Sequence, residues 1–392
     1  MKLITRTVWI LSFISLFTDM ASEMLYPIMP IYLREIGFSI FLIGVLEGIA
    51  EAVAGLSKGY FGKLSDSTSK RLPFVQLGYM LSAVSKPLMA VSVIPLWVFI
   101  VRTFDKLGKG IRTGARDAML SAETDYENKA RVFGFHRSMD TFGAVLGPIS
   151  ALIFLYFYPQ KYTYLFFIAF IPGFLTILLS FYLKEKKTEA INKKSSNSIL
   201  YFFKYWTESS TEYKKLVSGL LVFALFNSSD VFLLLFLKQQ GFNDLLIISA
   251  YIFYNLVYSL VAYPAGILAD KIGLKKIFIA GLLFFATVYL FISHSHNIYL
   301  SFFFFMFYGI YSACTEGISK AWISNIIPKK DVATAIGTFS GFQSICAMLA
   351  SSFAGYLWFA FGAVTTFTIT AFAAVLVVVY FAVFIKTPLA KK

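Results

Sequence analysis

Residues 101–117 decide how this chain must fold; they read V-R-T-F-D-K-L-G-K-G-I-R-T-G-A-R-D and lie in an apolar segment long enough to cross a membrane. At about 100° per residue, six of their charged side chains fall within one helical arc of roughly 120°. Each charge at the centre of a bilayer costs about 2.5–3.5 kcal/mol, so the pattern predicts that this arc faces other helices or water. We call these six residues the charged stripe: Arg102, Asp105, Lys106, Lys109, Arg112 and Arg116.

The composition is that of an integral membrane protein. Of the 392 residues, 58% are hydrophobic and 14% are charged, whereas soluble domains contain about 45–50% apolar and about 25% charged residues. A helical span with its loop uses about 33 residues, so the length predicts about twelve helices. The formal charge of +14 is also typical of nucleic-acid binding, but most basic residues lie in loops on one side of the predicted spans. We therefore expect the lipid bilayer, and no nucleic acid, as a partner.

The basic residues also orient the chain. We predict spans at 8–33, 40–60, 73–91, 96–118, 131–155, 163–183, 216–238, 244–265, 277–293, 299–323, 333–358 and 365–385. Besides the lysines of the middle segment, the loops on one side hold Lys2, Arg6, Lys63, Lys70, Arg71, Lys129, Lys271, Lys275, Lys276, Lys329, Lys330, Lys391 and Lys392, and the opposite loops hold only Arg34, Lys161 and Lys238. We therefore expect a multi-pass protein of a prokaryotic inner membrane, with both termini in the cytoplasm.

The chain repeats itself. The Y-L-R-E-I-G-F of residues 32–38 returns as F-L-K-Q-Q-G-F at 236–242, and the G-K-L-S-D of residues 62–66 returns at the same offset as G-I-L-A-D at 266–270. These matches predict two six-helix pseudo-symmetric halves, 1–183 and 216–392. The cytoplasmic linker between them, 184–215, ends in I-L-Y-F-F-K-Y-W, for which we predict a short amphipathic helix at the membrane surface.

Two loops and one helix resemble motifs of the major facilitator superfamily. The loop G-K-L-S-D-S-T-S-K-R at 62–71 resembles the family's cytoplasmic signature, with Ser67 and Ser69 in place of its usual basic residue and glycine, and G-I-L-A-D-K-I-G-L-K-K at 266–276 is its counterpart. The G-A-V-L-G-P of residues 143–148 resembles the family's helix-packing motif, through Gly143, Gly147 and Pro148. The pattern R-x-x-D-K-x-G-K-G-I-R-T-x-x-R-D is similar to that of largely uncharacterised bacterial and archaeal members.

The resemblance implies an all-α fold of twelve transmembrane helices that works by alternating access. It also implies a cytoplasmic gate at the signature loops and at the nearby end of span 4. The gate candidates are Gly62, Asp66, Lys70, Arg71, Arg116, Asp117, Gly266, Asp270 and Lys271.

In the resembling family, spans 1, 4, 7 and 10 line the solute cavity. The candidates for this cavity are Arg102, Asp105, Lys109, Arg112, Arg137, Asp230, Glu316 and Lys320. Arg102, Lys109 and Arg112 suit an anionic solute, since arginine forks onto a carboxylate or phosphate. The alternative is that Asp105, Asp140 and the acids of spans 1 and 2 neutralise these bases internally; in either case we expect Lys106 to be paired.

Paired carboxylates predict proton coupling. Asp19 and Glu23 are four residues apart, as are Glu47 and Glu51, so each pair shares a helix face. Two carboxylates in a low-dielectric place resist ionising together, so one of them can hold a proton. Ion pairs with the bases of span 4 are the alternative. His136, beside Arg137 and Asp140, suits either a proton relay or a hydrogen-bonded packing role; the full set of coupling candidates is Asp19, Glu23, Glu47, Glu51, His136 and Asp140.

These patterns predict a monomeric secondary transporter that moves a small polar or anionic organic solute, driven by protons. The alternatives are a proton-driven efflux antiporter of drug-like or metabolite molecules and, in another class, a non-transporting membrane sensor. No nucleophile with a base and an orienting group is visible, so we expect no enzyme. We also expect no cofactor and no metal, because the H-x-H of His294 and His296 has no acid or cysteine nearby.

Overall fold

The computed structural model describes residues 4–26, 28–185, 201–294 and 297–385, and within these ranges the regular structure is helical throughout. The first helices are α1 (Arg6–Leu25), α2 (Met29–Glu35), α3 (Ile40–Thr68), α4 (Leu72–Met89), α5 (Pro95–Ala122), α6 (Lys129–Phe157) and α7 (Tyr162–Ser180). The later helices are α8 (Tyr201–Glu208), α9 (Thr211–Phe226), α10 (Val231–Gln239), α11 (Asp244–Ile272), α12 (Leu274–Phe291), α13 (Ile298–Ile326) and α14 (Val332–Phe384).

These helices account for the twelve predicted spans and confirm the all-α membrane architecture. The pair α1 and α2 covers span 1, and the pair α9 and α10 covers span 7. Helix α14 covers spans 11 and 12, which meet at Gly362, where the backbone has a φ of 81°. A left-handed φ suits glycine, which has no Cβ to clash, and it ends one helix and begins the next.

Eight helical segments of the described chain are long and apolar enough to cross a membrane by length and composition alone. Helices α3, α4 and α5 are outside this set although they lie between two members of it, α1 and α6. Between them these three helices carry the charged stripe and its acidic partners. Their charges must therefore face other helices or water, because lipid does not stabilise them.

The internal repeat is visible in the backbone. Gly37 and Gly241 both have a left-handed φ, of 94° and 86°. The N–H of the residue after each glycine bonds to the carbonyl five residues back, at 2.9 and 3.2 Å, which is the pattern of a Schellman helix end. The next helix then starts at an N-cap, Ser39 in one case and Asn243 in the other, whose side chain accepts a hydrogen bond from a backbone N–H. The same local rules therefore shape the same turn in both halves.

The described chain forms two compact units. Unit 1 contains Met1–Asp125, Met139–Glu208 and Ile327–Ser344; unit 2 contains Tyr126–Ser138, Ser209–Ile326 and Ile345–Lys392. The start of α6 thus belongs to unit 2 and the start of α14 to unit 1. The boundaries 1–183, 184–215 and 216–392 describe the repeat along the chain and stay a prediction. Residues 186–200 of the linker and the terminal residues 1–3 and 386–392 lie outside the described ranges. Of the predicted amphipathic segment, the described part, which begins at Tyr201, is helical as α8.

An apolar cluster in unit 1 sets the position of the charged stripe. The cluster joins buried side chains of α1 to α7, with Tyr32 packed edge-on against Phe166 at 4.9 Å between ring centroids. On α5 the cluster ends at Val101, which is 1% exposed. The first residue of the stripe, Arg102, follows directly, so the apolar cluster covers one end of the charged helix face.

Candidate functional site

Small residues bring α5 close to its neighbours. A Cβ placed on Gly108 would lie 2.6 Å from the Gly78 carbonyl oxygen of α4, and one placed on Gly110 would overlap the side chain of Ser57 in α3. Only glycine allows backbones to approach this closely. Helices α3 and α4 therefore lie within reach of the charged side chains of α5.

Arg102 and Asp105 are held in a chain of ion pairs. The Lys86 Nζ lies 2.8 Å from an Asp105 carboxylate oxygen, and the Arg102 guanidinium lies 3.4 Å from the same oxygen. The Arg102 Nε and a terminal guanidinium nitrogen also donate to the two oxygens of Glu47, at 2.8 and 3.1 Å. The side chains of Lys86 and Asp105 are 5% and 12% exposed. Arg102 is thus neutralised internally in this structure, which is the second of the two alternatives that the sequence leaves open.

Glu51 pairs with Lys106, as the sequence predicts for that lysine. Glu47 and Glu51 are one helical turn apart on α3, and their partners Arg102 and Lys106 are one turn apart on α5. The two helices therefore form two ion pairs at the same spacing. Each carboxylate therefore has its own cation, and the predicted proton-sharing pair of Glu47 and Glu51 is not formed here. Half of the Glu51 side chain is exposed, so this ion pair borders an open surface of unit 1.

Two bases of the stripe have no such partner. Among the residues that the structure describes, no carboxylate oxygen lies within 4.0 Å of the Lys109 amine or the Arg112 guanidinium. Lys109 is exposed. Arg112 is 5% exposed and donates to the Ser82 hydroxyl at 2.7 Å, and its guanidinium carbon lies 4.6 Å from the centre of the Tyr79 ring. Its Nε has no acceptor within the described ranges. Among the described residues, these two bases therefore lack a direct carboxylate partner, unlike Arg102 and Lys106.

Arg116 and Asp117 are both buried, and Arg116 reaches a side chain of α1; their role in a gate stays a prediction. The Arg116 Nε donates to Asp117 at 2.9 Å, and a terminal guanidinium nitrogen lies 3.5 Å from the Ser15 hydroxyl. The Ser15 hydroxyl in turn donates to Asp140. Asp140 thus shares a polar network with the stripe. Its predicted neighbour His136 is 3% exposed and belongs to unit 2.

The remaining acids of unit 1 lie on α1. Asp19 and Glu23 are partly exposed and one turn apart, and both have interaction partners. Their predicted role in proton coupling stays a prediction.

In unit 2, Arg137 lies 3.8 Å from Glu316 and its Nε donates to the Tyr258 hydroxyl. Lys320, one turn after Glu316 on α13, is partly buried and has an interaction partner. Asp230 lies at the start of α10 and accepts a hydrogen bond from Tyr254. These cavity candidates therefore fall into two groups within unit 2, and their contact with a solute stays a prediction.

The two signature aspartates occupy equivalent positions, each two residues before the end of its helix. The Asp66 carboxylate accepts from the backbone N–H and hydroxyl of Thr334, at 2.7 and 2.8 Å. The Asp270 carboxylate accepts from the backbone N–H groups of Ala130 and Arg131, at 3.0 and 2.8 Å. Each aspartate thus caps the N-terminus of another helix, α14 in unit 1 and α6 in unit 2, where a negative charge is favoured by the helix dipole.

The signature glycines explain why these caps reach their targets. A Cβ placed on Gly62 would lie 2.5 Å from the carbonyl oxygen of Ala333, and one on Gly266 would overlap the carbonyl of Ala130. Helix α3 therefore touches the first turn of α14, and α11 touches the first turn of α6.

Other gate candidates differ in their surroundings. Lys70 and Lys271 are exposed. Arg71 is 7% exposed, lies 3.4 Å from the Asp66 carboxylate, and donates to the Lys329 carbonyl at 3.0 Å. Arg71 therefore belongs to the same capping arrangement as Asp66, and the two lysines do not.

The glycines of the packing motif let α6 touch α1. A Cβ on Gly143 would overlap the Leu16 carbonyl, and one on Gly147 would lie 2.7 Å from the Met20 carbonyl. Pro148 lies inside the same helix. The close approach brings Asp140 of α6 within reach of Ser15.

Several polar partners were missed from the sequence. Ser15, Tyr79 and Ser82 are uncharged and lie on helices other than α5, so no spacing rule connects them to the stripe. The break between α9 and α10 had a visible signal, the polar run N-S-S-D at 227–230 inside an apolar span. His296 lies outside the described residues, so the H-x-H pair is not described.

Comparison with known proteins gives a consistent family match. The model of the Major Facilitator Superfamily matches residues 11–254 and 216–392. An uncharacterised MFS-type transporter of Methanocaldococcus jannaschii is 32% identical over 366 residues, which cover 91% of this chain and 89% of that protein. The staphyloferrin B transporter of Staphylococcus aureus is 28% identical over 205 residues, 48% of this chain and 46% of that protein.

Two solved transporter structures have a fold similar to that of this chain. The human organic anion transporter MFSD10 has a TM-score of 0.81 at 15% identity, covering 96% of this chain and 99% of that one. The transporter FucP in its outward conformation has a TM-score of 0.79 at 10% identity, covering 97% and 99%. At such identities the likeness shows the fold alone.

Proposed function

The chain belongs to the major facilitator superfamily, a family of solute transporters and not of enzymes, and on that premise we propose that it moves a small anionic organic solute across the cytoplasmic membrane by alternating access. The observation that carries the proposal is that two bases of the stripe have no direct acidic partner. Lys109 and Arg112 have no carboxylate within 4.0 Å among the described residues, and a cation without a direct partner in a membrane helix is costly. A negative solute group would supply that partner.

The two bases suit different parts of such a solute. Lys109 is exposed on the helix face that also holds the Lys106–Glu51 pair, so it would meet a solute first. Arg112 is buried with one guanidinium N–H unused, and arginine binds carboxylate or phosphate with a fixed fork geometry. Losing either contact would weaken binding of an anion by about 1.5–3 kcal/mol, the scale of a hydrogen bond to a charged group.

Glu51 offers a physical route to proton coupling. An anion that reaches Lys109 lies next to Lys106 and competes with Glu51 for it. A carboxylate that loses its cation in a place of low dielectric constant binds a proton more readily, so the solute and one proton would load together. Asp19, Glu23 and Asp140 remain further proposed carriers of the proton.

The capping aspartates are the proposed gate. Asp66 and Asp270 each tie the end of one helix to the start of another, and alternating access requires such ties to form and break. The name of the staphyloferrin B transporter supports a role in moving organic molecules; because the match covers about half of each chain, its solute is not carried over.

A ligand-stabilisation screen of the purified protein tests the proposal. Succinate and citrate are compared with choline, spermidine and glucose, and only the anions are expected to raise the unfolding temperature saturably. Lys109→Gln and Arg112→Gln should each weaken the anion effect by about 10- to 150-fold. Lys215→Gln, an exposed lysine of unit 2, is the control. Stabilisation by the cations or by glucose, with no response to the anions, would exclude an anionic solute.

A further inference from the structure

The first span of the second half is broken. Helix α9 ends at Phe226 and α10 begins at Val231, so residues 227–230 interrupt a segment that is otherwise apolar enough to cross a membrane. A helix end leaves carbonyl groups without an intrahelical donor. In a membrane such a break persists only where protein groups or a bound species satisfy it.

A closed circuit of contacts surrounds this break. The Tyr254 hydroxyl donates to Asp230, and the Asn227 amide donates to the Tyr311 hydroxyl at 2.9 Å. Tyr308 joins the two tyrosines, with ring centroids 5.3 Å from Tyr254 and 5.4 Å from Tyr311. We call these five residues the break ring.

The break ring is held in place by its helices. Its three tyrosines lie on α11 and α13 and are 7%, 6% and 3% exposed. A Cβ placed on Gly309 of α13 would lie 2.7 Å from the carbonyl oxygen of Tyr254 on α11. The two backbones are therefore in contact at this level, and the tyrosines cannot move apart without separating them.

The break ring has a hydrogen-bond acceptor without a donor and carries a negative charge. Asp230 supplies its one formal charge, and among the described residues no basic nitrogen lies within 4.0 Å of that carboxylate. The Asn227 Oδ1 is buried and accepts no hydrogen bond from the part of the chain that the structure describes. The Ser229 hydroxyl is directed to Asp230 at 3.3 Å, and the Tyr254 hydroxyl and the Asn227 amide are also engaged. An unused amide oxygen, three residues before a carboxylate without a basic partner among the described residues, favours a cation.

We propose that the break ring binds a sodium ion. One carboxylate among neutral oxygens matches a monovalent cation, whereas calcium sites in proteins gather several charged oxygens. Asp230, the Asn227 Oδ1 and carbonyls of the break would supply the ligands, as unwound membrane helices do for sodium elsewhere. The site does not depend on the proposed anion, since it uses none of the residues of the charged stripe.

The test measures thermal unfolding of the purified full chain while NaCl replaces choline chloride at constant ionic strength. Sodium should raise the unfolding temperature saturably. Asp230→Asn and Asn227→Leu should each weaken this effect at least about tenfold; Glu212→Gln, which removes an exposed acid of the same helix α9, should leave it unchanged.

Asn227→Leu keeps the carboxylate, so it decides the question even if Asp230→Asn does not fold. Equal unfolding temperatures in sodium and choline, or an undiminished sodium effect in Asn227→Leu, would overturn the proposal. Citrate is titrated into the same samples. If Asn227→Leu loses the sodium response and keeps the anion response, the sodium site and the proposed anion site are independent of each other.

Discussion

Removing the carboxylate of Asp105 should leave the buried Lys86 without its ion-pair partner. In Asp105→Asn the Lys86 amine loses its 2.8 Å partner while its side chain stays 5% exposed. Arg102 still has both oxygens of Glu47, so the loss falls mainly on Lys86. Breaking a buried pair by removing one partner costs about 3–5 kcal/mol, and we expect a decrease of that size in the free energy of unfolding.

A double variant separates the cost of an unpaired buried charge from a general packing defect. Lys86→Met combined with Asp105→Leu removes both charges and keeps apolar bulk, so the double variant should be more stable than Asp105→Asn. Equilibrium unfolding in mixed detergent micelles measures all variants, with Asp125→Asn, an exposed acid, as the control. A loss under about 1 kcal/mol in Asp105→Asn, the scale of an exposed pair, or a double variant less stable than it, would refute the reasoning.

Three shorter predictions concern the helix packing, the aspartate caps and the proposed proton coupling through Glu51. Gly62→Ala should cost about 1–3 kcal/mol of stability by overpacking. Gly48→Ala, where no atom of the described residues lies within 4 Å of the new Cβ, should stabilise by about 0.5–1 kcal/mol; unfolding measurements check both. Asp66→Ala and Asp270→Ala should each cost about 0.5–2 kcal/mol as lost N-caps and slow solute exchange, and a variant with normal exchange argues against a gate role. Glu51→Gln should abolish the pH dependence of uptake, so unchanged pH dependence argues against coupling through Glu51.

The fold could be predicted because its signals are local and repeated. Apolar spans, one-sided basic loops and the turn at Gly37 and Gly241 each follow from rules that act within a few residues. The equivalence of Asp66 and Asp270 came from the same repeat. Which groups they cap could not be predicted, because Thr334 and Ala130 lie far away along the chain.

The partners within the charged network were only partly predictable. The spacing of Glu47 and Glu51 showed that they share a helix face, but not that α5 would present Arg102 and Lys106 at the same spacing. Lys86, the one charge of span 3, could either reach the membrane surface or pair inward, and it pairs with Asp105. Such choices depend on how close the helices lie, and the glycines set that distance only once the helices are packed.

Uptake by the purified protein in proteoliposomes tests the central claim most directly. The labelled probe is whichever of citrate and succinate stabilises the protein more, and wild type is compared with Lys109→Gln and with the control Lys215→Gln. We predict saturable uptake above that of empty vesicles for wild type and for Lys215→Gln, and an apparent affinity at least about tenfold weaker for Lys109→Gln. Equal uptake by Lys109→Gln and wild type, or uptake of choline or glucose and of neither anion, would contradict the account.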